Sequence, residues 1–527
     1  MTGLEGTFGL ARLVLRRDRV RLPLWLVGVA GVTYGSGSAM AATFPTQASI
    51  DAYAASVASS PAVVAMSGPP IALDTLPGIV LNKIELVTVV GVCLMAALTV
   101  VRHSRAEEEA GRTELLRAGV VGRHAGGCAA LLVASGASVL LGVLVALGLS
   151  GASVPGRSAL LYGAGTAGLG VVTAAATLCL AQLFVHARAA TGAALALVGL
   201  AFVLRAAGDV RGDGLVWLSP VGWSQATHVL GAERWWPLGI CVGAAIALAW
   251  LAFRLSGSRD AGAGLVAPRP GDAVGGRLMS SAFGLAVRQQ RGTVVAWAVG
   301  VLALALAEGS LADVVRSMAH DNPALEKYLN ATGQGSLVDA YLSTILLVLG
   351  LLATAFALSA TARLRSEETS GRLEALLATG LTRSRWLGSG LAVVGLGAML
   401  VLLLGGLGLG LSFAATTGDW STALRLPVQV LVYGPAVAAL VALAVLMLGW
   451  RPDAGGVTWA ALGLCFVLGW LGSLLGLPAW VLKVSPFGAA PLLPLQAFTW
   501  TGPVLTVMVA VLLGGVGWLG LLHRDIR

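Results

Sequence analysis

Lysine is nearly absent from this chain. Only Lys83, Lys327 and Lys483 occur in 527 residues, so 31 of the 34 basic residues are arginine. A phosphate-binding P-loop needs Gly-Lys-Ser/Thr, because its lysine must reach the phosphates. The residues before the three lysines are Asn82, Glu326 and Leu482, so the chain holds no ATP in that way. Charge of either sign is also scarce, at 11% of residues, against about a quarter in a soluble domain. The five cysteines, Cys93, Cys128, Cys179, Cys241 and Cys465, form no CxxC pair and lie in apolar stretches. They read as small buried hydrophobes and imply neither disulfide nor metal. The six histidines show no metal-ligand spacing. Gly-x-Ser-x-Gly is missing, so no nucleophile elbow is indicated. Aromatics interleaved with basic residues are missing too, which argues against nucleic acid despite the net charge of +9.

What fills the chain is apolar sequence. Mean hydropathy is +0.85 and 57% of residues are apolar. The alternating pattern of a membrane β-barrel does not occur. Twelve apolar runs of spanning length do, near 22–42, 81–101, 125–149, 159–185, 189–204, 237–253, 293–311, 338–361, 387–413, 424–448, 456–475 and 504–522. No cleavable signal peptide is expected, since the first run follows the basic passage RLVLRRDRVRLP and is long enough to remain as a helix. An even number of spans puts both termini on one side. With the termini inside, 25 of the 34 basic residues fall in inner segments, so both termini are expected in the cytoplasm.

The sequence repeats itself. FGLA at Phe8–Ala11 returns at Phe283–Ala286, and WLVGV at 25–29 returns as WAVGV at 297–301. Ser219-Pro220-Val221-Gly222 returns as Ser485-Pro486-Phe487-Gly488. The expected architecture is therefore an all-α polytopic membrane protein with twelve transmembrane helices in two parallel homologous six-helix halves. The first half spans 1–257, a Gly-, Ala- and Pro-rich linker spans 258–278, and the second half spans 279–527. Each half opens with FGLA and basic residues. In the first, Arg12, Arg16 and Arg19 lie at helical spacing, as in a helix lying along the membrane surface.

The most polar passage also occurs twice. RAEEEAGRTELLRAGVVGR at 105–123 matches RSEETSGRLEALLATGLTR at 365–383 with nine identities in nineteen positions. Both copies lie between the second and third spans of their half. As one short helix, each would pair its charges at i,i+4, Glu108 with Arg112 and Glu368 with Arg372. A loop that only satisfied topology would need positive charge, not glutamates at fixed places. The passages therefore read as docking elements.

The pattern R-x-E-E-x-x-G-R-x-E-x-L-x-A after the second span of a six-span unit resembles the ABC exporter permeases called type 2. The duplicated form is similar to actinobacterial polyketide-antibiotic and multidrug exporter permeases. The resemblance covers nearly the whole chain. It implies that Glu107, Glu108, Gly111, Arg112, Glu114 and Leu116 form a cytoplasmic coupling helix, with Glu367, Glu368, Gly371, Arg372, Glu374 and Leu376 as its second copy. It implies that Ser219, Pro220 and Gly222, with Ser485, Pro486 and Gly488, form short re-entrant caps at an outer gate. It implies a permease subunit, itself no enzyme, in a bacterial cell membrane. Two copies of a separate nucleotide-binding subunit would carry ATP and magnesium, and the cargo would be hydrophobic or amphipathic drugs or antibiotics. Two rival readings stand beside it. One is an ion-coupled secondary transporter, for which Glu85, Glu308 and Asp339 are the ionisable residues nearest the membrane interior. The other is a non-transporting signalling or resistance permease of the same lineage.

Overall fold

The computed structural model describes residues 3–524 apart from 59–60, 118, 120, 261, 267–275, 277–279, 311–335 and 472–477. Every regular element among the described residues is a helix. The chain divides into two compact units, Met1–Gly271 and Asp272–Arg527.

The first unit contains α1 (Thr7–Arg17), α2 (Arg21–Thr43), α3 (Gln47–Ala58), α4 (Pro61–Ser67), α5 (Leu76–His103), α6 (Arg105–Glu109), α7 (Arg112–Arg117), α8 (Ala125–Gly151), α9 (Gly156–Leu183), α10 (Ala187–Arg211), α11 (Pro220–Gln225) and α12 (Trp236–Gly257). The second contains α13 (Ala282–Ser310), α14 (Leu337–Thr369), α15 (Arg372–Leu377), α16 (Arg383–Thr417), α17 (Ser421–Gln429), α18 (Gly434–Trp450), α19 (Gly456–Leu471), α20 (Ala479–Leu482) and α21 (Thr501–His523).

Long apolar runs become helices because only a helix satisfies every backbone polar group within its own segment in lipid. At 28 residues, α5 is about 42 Å long, more than the hydrocarbon core of about 30 Å. Its start is set by Thr75, whose side chain accepts a hydrogen bond from Gly78 N. Eleven helices of the described residues are long and apolar enough to cross a membrane. The expected first span forms as α2 but is not among them, because its GVTYGSGSA stretch dilutes its hydropathy. Within the span at Ser421–Trp450, Pro427 removes a backbone donor and a 3-10 turn at Val430–Tyr433 divides α17 from α18.

Small residues let the spans approach closely. A side-chain carbon at Gly142 of α8 would meet the carbonyl of Gly163 on α9 at 2.3 Å. Gly449 of α18 lies equally close, at 2.2 Å, to the carbonyl of Gly517 on α21. Large apolar side chains such as Leu24, Val27, Leu147 and Val511 point outward, as they would toward lipid.

One expectation fails in the second unit. The first unit does open with a separate amphipathic helix, α1, which ends where Asp18 is buried against His103 and Arg102. The second unit opens with a single 29-residue helix, α13, that continues straight into its span. No carboxylate stands in that passage (FGLAVRQQRGTVVAW) to pin a break.

Candidate functional site: the two charged turns

In the first unit the charged passage is not one helix. Residues α6 and α7 are separated by Gly111, whose φ of +70° suits glycine and breaks the helical register. In the second unit α14 runs on to Thr369, and Gly371, also at φ +70°, separates it from α15. The break removes the i,i+4 relation, so neither the Glu108–Arg112 nor the Glu368–Arg372 pair forms. Arg112 instead donates through Nε and Nη2 to Glu107 at 2.7 and 3.0 Å. That bond holds the Arg112 guanidinium above its ordinary pKa. Arg17, from α1, donates to the same carboxylate at 2.8 Å.

Glu108 turns inward. Arg105 donates to its Oε2 at 2.6 Å, and Arg259 donates through Nη2 to both oxygens at 2.8 Å. The two arginine side chains are 1% and 5% exposed and Glu108 is 13% exposed, so this is a buried cluster of three charges. Such charges persist only when paired and hydrogen-bonded. The remaining donors are met: Arg105 donates to the carbonyls of Val185, Gly262 and Ala263, and Arg259 to Gln182 Oε1 and the Ala263 carbonyl. Arg123, the last residue of the passage, donates to the Arg259 carbonyl at 2.7 Å. The amides of Leu265 and Val266 bond to the carbonyls of Gln182 and Leu183. The segment after α12, expected as the start of a loose linker, thus packs onto the charged turn through Arg259 and onto the end of α9 through Leu265 and Val266.

The second unit repeats this plan with other chain segments. Glu368, whose side chain is 1% exposed, forms an ion pair with Arg365 at 3.1 Å and accepts a hydrogen bond from Arg524 Nη2 at 2.6 Å. Arg383 donates to the Arg524 carbonyl at 2.7 Å, as Arg123 does to Arg259. Sequence reading missed Arg259 and Arg524. Their signal is present nonetheless, because Arg259-Asp260 and Arg524-Asp525 each follow the last helix of a unit. Glu367 is buried and accepts from Trp386 Nε1 at 3.2 Å, so it faces no solvent. Exposed residues include Glu109, Gly111, Arg112, Glu114 and Leu115 in the first turn and Gly371, Arg372 and Glu374 in the second. Leu376 is half-buried against the Leu364, Leu373 and Trp386 cluster. The side chain of Leu116 lies outside the described residues.

The Ser-Pro-x-Gly passages differ from each other. Ser219 caps the short helix α11, accepting from Val221 N and Gly222 N, and donates to the Ala201 carbonyl at 2.6 Å. Ser485 caps no helix; its Oγ accepts from Phe487 N at 3.3 Å within a turn. Both glycines mark close approaches. A side-chain carbon at Gly222 would lie 2.1 Å from the Val216 carbonyl, and one at Gly488 would lie 2.0 Å from that of Leu482.

Of the expected interior carboxylates, Asp339 sits in the first turn of α14 and accepts from Ser336 Oγ. Glu308 lies in the last turns of α13, where Tyr341 donates to it at 3.0 Å. Glu85 is buried within α5.

Helices long and apolar enough to span, with a buried arginine–glutamate lattice at one end of each unit, define a multi-pass membrane protein. Residues 279–521 match the family described as the C-terminal domain of the multidrug efflux system permease Rv1217c. The chain is also 38% identical over 533 residues to the multidrug efflux system permease protein Rv1217c of Mycobacterium tuberculosis, covering 100% of this chain and 96% of that protein. The chain belongs to this family of efflux permeases.

Proposed function

We propose that this chain is the transmembrane subunit of an ATP-driven ABC exporter and moves hydrophobic or amphipathic drugs or antibiotics out of a bacterial cell. Two copies of a separate nucleotide-binding subunit, which carry the ATP and magnesium, dock on the two charged turns. Both turns and both termini lie on the cytoplasmic face. The observation that carries the reading is the recurrence, in both units, of a glycine-broken charged turn held by buried ion pairs. A passive loop needs no such lattice. The relative's description as a multidrug efflux permease supports the cargo class.

The lattice also divides the labour of the glutamates. Glu108, Glu367 and Glu368 are committed inside their own unit, and Glu107 is held by two arginines. Docking falls to the exposed rim, namely Arg112, Glu114 and Leu115 with Arg372 and Glu374. Glu114→Arg and Glu374→Arg should change stability by no more than about 0.5 kcal/mol, as surface substitutions do. Each should weaken co-purification of the nucleotide-binding subunit, and together they should abolish export. Retention of wild-type association and export by the double variant would refute the docking role.

A further inference from the structure

The first unit contains a second polar site, at the end of the bundle away from the charged turn. Glu85, the tenth residue of α5, is 8% exposed. Tyr162, near the start of α9, donates to its Oε2 at 2.8 Å, and Gln225, the last residue of α11, donates through Nε2 to its Oε1 at 2.8 Å. Thr88 lies 2.6 Å from the Tyr162 oxygen. Both donors to the carboxylate are neutral, and among the described residues no cation is bonded to it. Arg205 on the neighbouring α10 is bonded elsewhere, to Asp209 and to the carbonyls of Val64 and Met66.

Beside these groups lies a cavity of about 80 Å³ lined by Ile71, Asn82, Glu85, Gln225 and Thr227, among others. The Gln225 side chain lines this cavity, and its Oε1 atom, buried near Gly68, has no hydrogen-bond partner. Its orientation is fixed by the carboxylate, because an oxygen turned toward Glu85 would set lone pair against lone pair. An ionised carboxylate has about four acceptor positions, of which two are filled here. The site thus presents two acceptor groups and room for a small head group. Arg205 acts on this carboxylate only through space, without a hydrogen bond, so an occupant that brings positive charge would add a direct contact.

The second unit shows that this polarity is not needed to build such a bundle. Tyr162-Gly163 recurs as Tyr433-Gly434. Tyr433 is fully buried, its hydroxyl has no hydrogen-bond partner, and its ring stacks on Phe487 at 5.8 Å. At the offset of 260 that relates the charged turns, Glu85 corresponds to Ile345, which lies in the apolar core.

We infer that the cavity at Glu85 is a binding site for an alkylammonium head group, with Glu85 as its counter-ion and Gln225 Oε1 as a second acceptor. Its use in export rests on the permease reading; the binding itself does not. The test uses the full chain in lipid nanodiscs, with neither nucleotide nor partner subunit. The probe is dansylcadaverine, a fluorescent primary ammonium, compared with N-hexyl dansylamide, which carries a methyl group in place of the ammonium. A charge-assisted hydrogen bond of about 1.5–3 kcal/mol predicts about a 10- to 150-fold preference for the ammonium probe at neutral pH. Glu85→Gln, which keeps the shape, should abolish that preference, and Gln225→Leu should reduce it. Methylammonium chloride, at matched ionic strength, should displace the probe from the unmodified chain, which keeps the test independent of whether any variant folds. Equal binding of the two probes, an undiminished preference in Glu85→Gln, or no displacement by methylammonium would each overturn the proposal. Failure of nucleotide-driven export with ammonium binding intact would count against the proposed function alone.

Discussion

Glu108→Gln isolates what the buried lattice contributes. The amide keeps the size of the side chain but removes the anion shared by Arg105 and Arg259, whose side chains are 1% and 5% exposed. Breaking a buried pair by removing one partner costs about 3–5 kcal/mol. Carbonyls of Val185, Gly262 and Ala263 still accept from the two guanidiniums, so the lower end applies, about 3 kcal/mol. At about 1.4 kcal/mol per decade, this multiplies the opening equilibrium of the docked segment by roughly a hundredfold. Hydrogen–deuterium exchange reads that opening directly. The amides of Leu265 and Val266 are protected by the carbonyls of Gln182 and Leu183, at 3.2 and 2.9 Å. Their exchange should accelerate by about two orders of magnitude in Glu108→Gln when closing outpaces exchange, and by much less in Glu108→Asp, which keeps the charge. Glu114→Gln, at an exposed site, serves as the control and should leave both amides unchanged. Unaltered protection in Glu108→Gln would show that the lattice does not hold the segment.

Three further outcomes are expected. Asp18→Asn should lower the thermal unfolding temperature and loosen α1, because it weakens a buried contact with His103 at 2.7 Å and the pair with Arg102. Gly222→Val and Gly488→Val should reduce the yield of folded protein, measured by size-exclusion chromatography, since their side-chain carbons would fall within about 2.1 Å of a carbonyl oxygen; well-folded but transport-dead variants would show instead that these turns move. Tyr433→Phe should leave the unfolding temperature unchanged or raise it, because the lost hydroxyl has no hydrogen-bond partner.

Much of the fold was legible because lipid imposes a simple rule. Apolar runs of spanning length must be helices, and the all-helical polytopic class follows from hydropathy alone. The spans near 81–101 and 338–361 appear as α5 and α14, lengthened at their C-terminal ends by polar residues, Arg102–His103 and the passage through Thr369, that hydropathy does not register. The weak point was α2, where Gly, Ser, Thr and Tyr dilute the signal. The charged turns were visible as repeated sequence but not as geometry. The i,i+4 rule holds only along an unbroken helix, and Gly111 and Gly371 break it. Glu108 and Glu368 each have one local partner three residues back, Arg105 and Arg365, but their second partners lie 151 and 156 residues away, beyond any local pattern. The Glu85 site was half legible. An intramembrane carboxylate stands out in sequence, but its donors come from α9 and α11, which only folding brings together.

The two units agree where the lattice is and diverge where it is not. Each joins its charged turn to the residue just past its own last helix, through Glu108–Arg259 or Glu368–Arg524, and each seals the joint with a second arginine on that residue's carbonyl. A displacement of either turn therefore cannot be absorbed locally. It must move the helix before the turn and the end of the last helix together, because separating them leaves buried charges unpaired. That is the mechanical property a docking element needs if force applied by a partner is to reach the spans. At the far end of the bundle this constraint does not operate. There the first unit carries the carboxylate of Glu85 and the second the apolar contacts of Ile345, Tyr433 and Phe487. If the proposed docking and the proposed head-group site both hold, the two lattices would serve as equivalent handles and Glu85 as a single charged contact for cargo.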